Sequence, residues 1–344
     1  MAKKEEENDI HLEDASDSLL EEALNKAADT VCKECMQIQR KENVLIVTDP
    51  HTSTIGQALY EAAARISDRV LLVMMPSTHR HGDEPPAPVS DLMRKQDVVL
   101  APTRYSLTHT RARMQACREG TRIATMPGIT MKMFTEGGMT TDFNAMQSAI
   151  AQLGKSLKRQ RKVEVKTENG TSVKFEISGR WELGDNGICN RPGQVTNLPA
   201  GKILAMPKEG TMDGKIVIDG TWDAAVVDEP LTFKVEAGMV TKITGQGSDD
   251  VKAMFVEASR KLKPNQQANV WTVAEFGFGM NPRARLVGNV LEDEKVQGTC
   301  YFAFGDNTSL GGSSNCGVHV TGVIKNPTVQ IGDVDLLDDG DIRI

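Results

Sequence analysis

The spacing of apolar positions changes near residue 159 and divides the chain into two textures. From Asp14 to about Arg40, Leu20, Leu24, Ala27, Val31 and Cys35 recur at three- and four-residue intervals, which predicts an amphipathic helix. Val44–Thr48 is a short apolar run closed by Asp49-Pro50, the pattern of a buried strand. A helix is expected from Ser53 to Ile66, with Ser53 or Thr54 as its N-cap. Val70–Met74, Val98–Leu100 and Arg122–Thr125 read as further strands, with helical stretches between them. Continuous apolar strands alternating with helices predict a doubly wound parallel sheet covered on both faces. The loops after the strand C-termini then form its binding crevice.

Beyond Arg159 the apolar residues alternate with polar ones. Val163 and Val165, then Val173, Phe175 and Ile177, flank Asn169-Gly170, a strong hairpin signal. Strands are expected again at Ile203–Met206, Ile216–Ile218, Leu231–Val235 and Val240–Ile243, and a single helix at Asp249–Leu262. The expected organisation is a disordered tail over residues 1–15, an α/β domain over 16–158, and a β-rich α+β domain over 159–344. A cleft between the two domains would carry the site.

A chain of 344 residues is long enough for two domains. The net charge of −7 argues against a nucleic-acid partner. The one basic run, Lys158-Arg159-Gln160-Arg161-Lys162, reads as a solvated linker. No apolar run approaches the ~18 residues that span a bilayer, so no membrane association is expected. The acidic N-terminus lacks the apolar stretch of a secretory signal. Six scattered cysteines do not form a disulfide framework, and a reducing cytoplasm fits them. Cys32-Lys33-Glu34-Cys35 lies inside the first helix and reads as buried packing.

Candidate chemistry gathers in two places. Glu275, Glu292-Asp293-Glu294, Asp306 and His319 offer carboxylates and an imidazole, hard-to-borderline donors suited to Zn, Mn, Co or Fe(II). Solvated acidic loops have the same composition. In the first half, His81 and then Ser106, Thr108 and His109 follow strand ends and could line a pocket for a polar or anionic substrate. Their alternative role is loop bonding, with Ser106 or Thr108 as N-cap of a helix beginning near Thr110.

These stretches carry a family resemblance. Asn197-Leu198-Pro199-Ala200-Gly201-Lys202, Ala274-Glu275-Phe276-Gly277, Leu291-Glu292-Asp293-Glu294-Lys295, Phe304-Gly305-Asp306-Asn307 and Val318-His319-Val320-Thr321-Gly322 resemble, in that order, the aminopeptidase T/S family. His81–Pro86 and Ser106–Thr110 resemble a branch labelled leucyl aminopeptidase or 2,5-dihydroxypyridine 5,6-dioxygenase. The likeness spans about residues 16 to 335, and it implies a homodimer working on a peptide or small molecule.

In the peptidases the resemblance implies two metals that clamp a bridging water. Glu275, Glu294 and His319 match ligand positions. Lys202 stands where a glutamate is usual, Tyr301 where a histidine is usual, and Thr321 where an aspartate is usual. A cation and neutral groups in place of anions imply an altered, not dinuclear, site with one divalent ion or none. Lys202 and Tyr301 become candidate catalytic groups, and Thr321 a pocket residue. In the dioxygenase branch the resemblance implies one Fe(II) on two histidines and an aspartate; the matching positions are Glu275, His319 and Thr321. Lys202 could also replace one metal's charge with a fixed ammonium, act as a base of lowered pKa, bind a substrate carboxylate, or simply pair with Glu275 or Glu294. The leading expectation is an aminopeptidase-like metalloenzyme, a metal-dependent hydrolase. The alternatives are a mononuclear ring-opening dioxygenase acting on a small aromatic or heterocyclic compound, and a non-catalytic binding or assembly protein.

Overall fold

The apolar runs of the first half become the strands of one parallel sheet. A computed structural model describes residues 18–343, so the expected tail over 1–15 and the expected helix start at Asp14 lie outside the described residues. Residues 18–30 are α-helical (α1) and continue into a π turn at Val31–Cys35. Cys32 and Cys35 are buried free thiols, the packing role expected for them.

Strands β1 (Val44–Thr48), β2 (Val70–Met74), β3 (Val98–Thr103), β4 (Arg122–Pro127) and β7 (Val195–Asn197) lie in the order β2-β1-β3-β4-β7. Every neighbouring pair is parallel. Helices α2 (Ser53–Ala64), α3 (Ala87–Met93), α4 (Arg111–Arg118) and the short α5 (Met131–Thr135) connect them. Leu45, Val47, Val99, Ala101 and Ile123 form one core with Val89 and Met93 of α3 and with Ala112 and Ala116 of α4. Because β1 is flanked by β2 on one side and β3 on the other, the order reverses between β1 and β3, where such sheets open a crevice.

Both expected helix caps are displaced by one or more residues. Thr52 precedes α2, and its hydroxyl donates to Pro102 O at 2.7 Å, tying the end of β1 to β3. Thr110 caps α4 by accepting from Arg113 N at 3.2 Å. Ser106 and Thr108 are committed to bonds of their own loop.

The chain divides into two units: residues up to Asn144 with Gly187–Ala200, and Ala145–Asn186 with Gly201–Ile344. It crosses between them three times, where the sequence suggests one change near residue 158. β7 is the reason: a three-residue strand too short to be read from its pattern pairs with β4.

In the second unit β5 (Lys162–Lys166) and β6 (Ser172–Glu182) form the hairpin signalled by Asn169-Gly170. The sheet continues through β8 (Lys202–Pro207), β9 (Asp213–Ile218), β10 (Thr221–Trp222), β11 (Ala225–Val226), β12 (Leu231–Glu236) and β13 (Met239–Thr244). It is completed by β14 (Val273–Gly279), β15 (Cys300–Gly305), β16 (His319–Ile324), β17 (Thr328–Ile331), β18 (Val334–Asp338) and β19 (Asp341–Ile342). Helices α6 (Phe143–Leu157), α7 (Ser248–Arg260) and the single turn α8 (Val290–Asp293) accompany it. No helix among the described residues is long and apolar enough to cross a membrane.

Strand register sorts the side chains of β8, β14, β15 and β16. Side chains alternate faces along a strand, and paired residues share a face. Phe276 pairs with Phe302, which places both on one face, and their rings pack at 5.2 Å against each other and, for Phe276, against Phe175. The other face receives Lys202, Glu275, Tyr301, His319 and Thr321, with Gly277, Gly279, Ala303 and Gly305 between them. One face is an aromatic core, and the other is a shelf of small residues carrying polar groups.

Candidate functional site

The shelf draws three carboxylates and two ammonium groups together. Glu275 projects from β14, Lys202 from the first position of β8, and Glu294 caps the C-terminal end of α8. Lys202 Nζ lies 2.5 Å from Glu294 Oε2 and 3.4 Å from Glu275 Oε1. Lys295 Nζ adds contacts at 3.2 Å to Glu294 Oε2 and 3.6 Å to Asp185 Oδ2. The Tyr301 hydroxyl donates to Glu275 Oε1 at 2.5 Å, and the Thr321 hydroxyl donates to Glu294 Oε1 at 2.9 Å. The Lys202 ammonium also stands 4.9 Å from the centroid of the Tyr301 ring.

Two glycines make this convergence possible. A Cβ at Gly277 would come within 2.5 Å of the Tyr301 ring, so only glycine lets that ring lie across β14 toward Glu275. A Cβ at Gly279 would come within 2.0 Å of Val296 O. Its absence lets the segment carrying Glu294 and Lys295 run directly against β14.

Exposure grades across the cluster. The side chains of Glu294, Glu275 and Lys202 are 7 %, 8 % and 14 % exposed, whereas His319 is 40 % exposed and forms the rim. Burial works against the charged form of Lys202, but Glu294, Glu275 and Asp185 outweigh it and hold its pKa above the usual lysine range. The expected base of lowered pKa is therefore not what the fold provides: Lys202 is held as a cation. Burial raises the Glu294 carboxyl, yet Lys202 and Lys295 reverse this and hold it well below its ordinary value. Burial, and then the charges of Glu275 and Glu294, push the Tyr301 phenol well up, so it stays a donor.

His319 is oriented by its backbone neighbour. Its Nδ1 is 3.0 Å from Asp306 O, and a carbonyl only accepts, so that nitrogen carries the proton. In the neutral ring Nε2 then presents a lone pair, 3.9 Å from Glu275 Oε2. Two acceptors at this separation, His319 on the rim and Glu275 buried beneath it, suit a ligand hydroxyl or N–H between them.

Several expected site residues have other roles. Glu292 accepts from Arg285 N at 3.0 Å and Asp293 from Val287 N at 2.7 Å, so both organise the loop before α8. Asp306 accepts from Thr308 N, Cys316 N and Gly317 N and closes a turn. Asp185 and Lys295 belong to the cluster and were not singled out from sequence. Lys295 follows Glu294 directly in the motif, a usable signal, whereas Asp185 sits in an ordinary turn-like Gly-Asp-Asn-Gly stretch.

In the first unit, the candidates His81, Ser106 and Thr108 do meet, but in loop bonding. His81 Nδ1 accepts from Ser106 N at 3.1 Å, and the Ser106 hydroxyl donates to Thr108 Oγ1 at 2.9 Å. Thr108 and Thr125 share Asn197 Oδ1, at 3.0 and 2.6 Å. His109 is exposed on the same loop. At the β1/β3 reversal, Arg104 Nη1 donates to His51 Nε2 at 2.7 Å, and His51 Nδ1 faces Ser77 Oγ at 3.3 Å. Asp49-Pro50 at the end of one strand and Thr103-Arg104-Tyr105 after another were the hints of this second cluster in the sequence.

The family model described as NicX: 2,5-dihydroxypyridine 5,6-dioxygenase matches residues 23–344. The chain belongs to that family. It is 22% identical over 326 residues to a 2,5-dihydroxypyridine 5,6-dioxygenase of Pseudomonas putida, covering 86% of this chain and 88% of the relative. The solved structure of the 2,5-dihydroxypyridine dioxygenase from Pseudomonas putida KT2440 superposes with a TM-score of 0.77 at 19% identity, covering 93% of this chain and 96% of that one. AmpT from Thermus thermophilus superposes with a TM-score of 0.68 at 14% identity, covering 94% and 99%. Its likeness is one of fold. The leading sequence expectation, a hydrolase of the aminopeptidase type, gives way to the dioxygenase branch of the resemblance.

A ring-opening dioxygenase family implies an iron centre, and the donor set here does not fit one. Among the described residues no group of three or more His, Cys, Asp or Glu is placed to hold a metal ion. Glu275, Glu294 and His319, expected as residual ligands, are near one another, but an ammonium bridges the two carboxylates. Glu294 is saturated by Lys202, Lys295 and Thr321. Only Glu275 Oε2 and His319 Nε2 remain, two donors where a facial triad needs three.

Proposed function

We propose that this chain is a dioxygenase-type, ring-opening enzyme for a small dihydroxylated aromatic or N-heterocyclic compound, held at the polar shelf of the second unit. The observation that carries this reading is the family match over residues 23–344. The shelf supports it chemically. A ring hydroxyl seated between Glu275 Oε2 and His319 Nε2 meets two acceptors and can give up its proton there. The Lys202 ammonium, 3.4 Å from the other oxygen of Glu275, favours the anion so formed. Tyr301 keeps Glu275 aimed by donating to its other oxygen. Deprotonation raises the electron density of a dihydroxylated ring, the state in which such rings give electrons to oxygen most readily.

The test is an oxygen-electrode assay on the purified full chain with 2,5-dihydroxypyridine and related dihydroxy rings. Expected are oxygen uptake and loss of the ring absorbance, both reduced on the order of 100-fold or more in Glu275→Gln. Ring binding without turnover would assign a binding protein instead. Release of amino acids from an aminoacyl amide, with no oxygen uptake, would overturn the reading in favour of a peptidase.

A further inference from the structure

We infer that the Lys202 ammonium occupies the place of a divalent metal ion on the shelf, so that the centre is closed to transition metals while a lysine stands at position 202. The inference rests on the geometry of the second unit and on the family membership, not on the identity of the substrate.

Space gives the first reason. Lys202 Nζ bridges Glu294 Oε2 at 2.5 Å and Glu275 Oε1 at 3.4 Å. Carboxylate oxygens bind first-row ions at about 2.0–2.2 Å, so an ion bridging the same two oxygens would overlap the ammonium. The lysine is not free to swing away: it is 14 % exposed, and its stem leaves the first residue of a strand whose pairing with Gly279 is fixed.

Charge gives the second reason. Two carboxylates on a shelf of small residues repel unless a cation lies between them. In this chain the cation is covalently attached, and Lys295 supplies a second at Glu294 and Asp185. Adding a divalent ion would crowd it against two buried ammonium groups. The remaining donors, Glu275 Oε2 and His319 Nε2, are too few to hold it against that repulsion. Conversely, an added carboxylate at position 202 would bring a third anionic donor to Glu275 and Glu294, with His319 as a borderline nitrogen donor beside them. With Lys295 and Thr321 still on Glu294, that set offers donors of the kind that Mn(II), Zn(II) or Fe(II) takes.

The experiment uses the full chain, stripped with chelator and desalted, then titrated with Mn(II), Zn(II) and, without oxygen, Fe(II). Metal per chain after a second desalting is read by mass spectrometry, and melting temperature is followed against ion concentration. Wild type should retain less than about one-tenth of an ion per chain and show no ion-dependent rise in melting temperature. Lys202→Glu should melt lower when stripped, retain about one ion per chain, and regain melting temperature as the ion is added. Lys202→Met removes the cation without adding a donor, and should bind on the order of 10- to 100-fold more weakly than Lys202→Glu. One ion retained per wild-type chain overturns the inference, and so does Lys202→Glu folding without gaining an ion. If Lys202→Glu cannot be purified, the wild-type stoichiometry decides alone. Failure of the oxygen assay with a metal-free wild type would remove the functional reading and leave this inference standing. Oxygen uptake that appears only after iron loading would do the reverse.

Discussion

Two buried carboxylate sites in this chain are held in opposite ways. Asp49, at the end of β1, is met chiefly by the backbone: Arg104 N at 2.7 Å and His51 N at 3.0 Å. Glu275 and Glu294 are met by side chains: two ammonium groups, a phenol and a threonine hydroxyl. Peptide donors are in position once β1 and β3 pair, whatever side chains the loops carry. The shelf depends on partners whose identity one substitution can change. The first kind of site does not depend on the loop side chains, while the chemistry of the second turns on which side chains meet the carboxylates.

The largest break in this comparison should come from Lys202→Met. Removing one partner of a buried charge pair leaves the other charge uncompensated, and about 3–5 kcal/mol of stability should be lost. Urea unfolding measures it. Adding Glu294→Gln to Lys202→Met should recover a substantial part, because the repulsion and the unpaired charge go together. If the single and double variants unfold alike, the ammonium is not what holds the two glutamates.

Asp49→Ala should cost less, about 2 kcal/mol, since it strands peptide donors but no charge. Asp49→Asn keeps an acceptor and should cost about half of that. A cost for Asp49→Ala equal to that of Lys202→Met would mean that the two carboxylate sites do not differ in kind.

The same contrast explains what could be read from the sequence. The run Val44–Thr48 and the hairpin at Asn169-Gly170 are local patterns, and both stand where expected. The polar shelf is not local. Ala-Glu-Phe-Gly-Phe-Gly alternates visibly, which hints that Glu275 and the glycines share a face opposite the phenylalanines. Which lysine answers Glu275, however, is set by pairing across 73 positions, and for Glu294 across 92. Lys202 was recognisable as a departure from a family pattern, and its pairing with both glutamates was one of the roles open to it. Its raised pKa follows only from the third dimension, because three carboxylates surround it. Helix caps were misplaced for a related reason: the hydroxyls of Ser53, Ser106 and Thr108 had competing partners that sequence spacing does not reveal.

Gly277→Ala tests the shelf without touching a charge. The new methyl would meet the Tyr301 ring, an overpacking that should cost about 1–2 kcal/mol and move the phenol off Glu275. Tyrosine fluorescence and urea unfolding would report both effects. An unchanged tyrosine signal would mean that the ring does not depend on the missing side chain.

A third carboxylate falls between the two extremes and sharpens the contrast with the smallest effect. Asp293 Oδ1 accepts from Val287 N at 2.7 Å, but Oδ2 is buried without a hydrogen-bond partner. Burial raises its pKa from 3.8 to about 6, and the hydrogen bond donated by the Val287 N–H works against it. A raised pKa means that the fold prefers the protonated acid. The stability this group contributes is full below about pH 4 and is lost as pH rises through 6. Charging it in the fold therefore costs up to about 3 kcal/mol at neutral pH. Asp293→Asn keeps the acceptor for Val287 N while removing the charge, though it exchanges a charge-assisted bond for a neutral one. The net result should be a gain on the order of 1 kcal/mol at pH 7.5, shrinking to nothing near pH 4. Unfolding curves of the two proteins across that range would read it directly. A loss of stability at pH 7.5 would mean that one peptide N–H suffices for Asp293 where Asp49 has two, and that an ammonium is needed only where two carboxylates face each other.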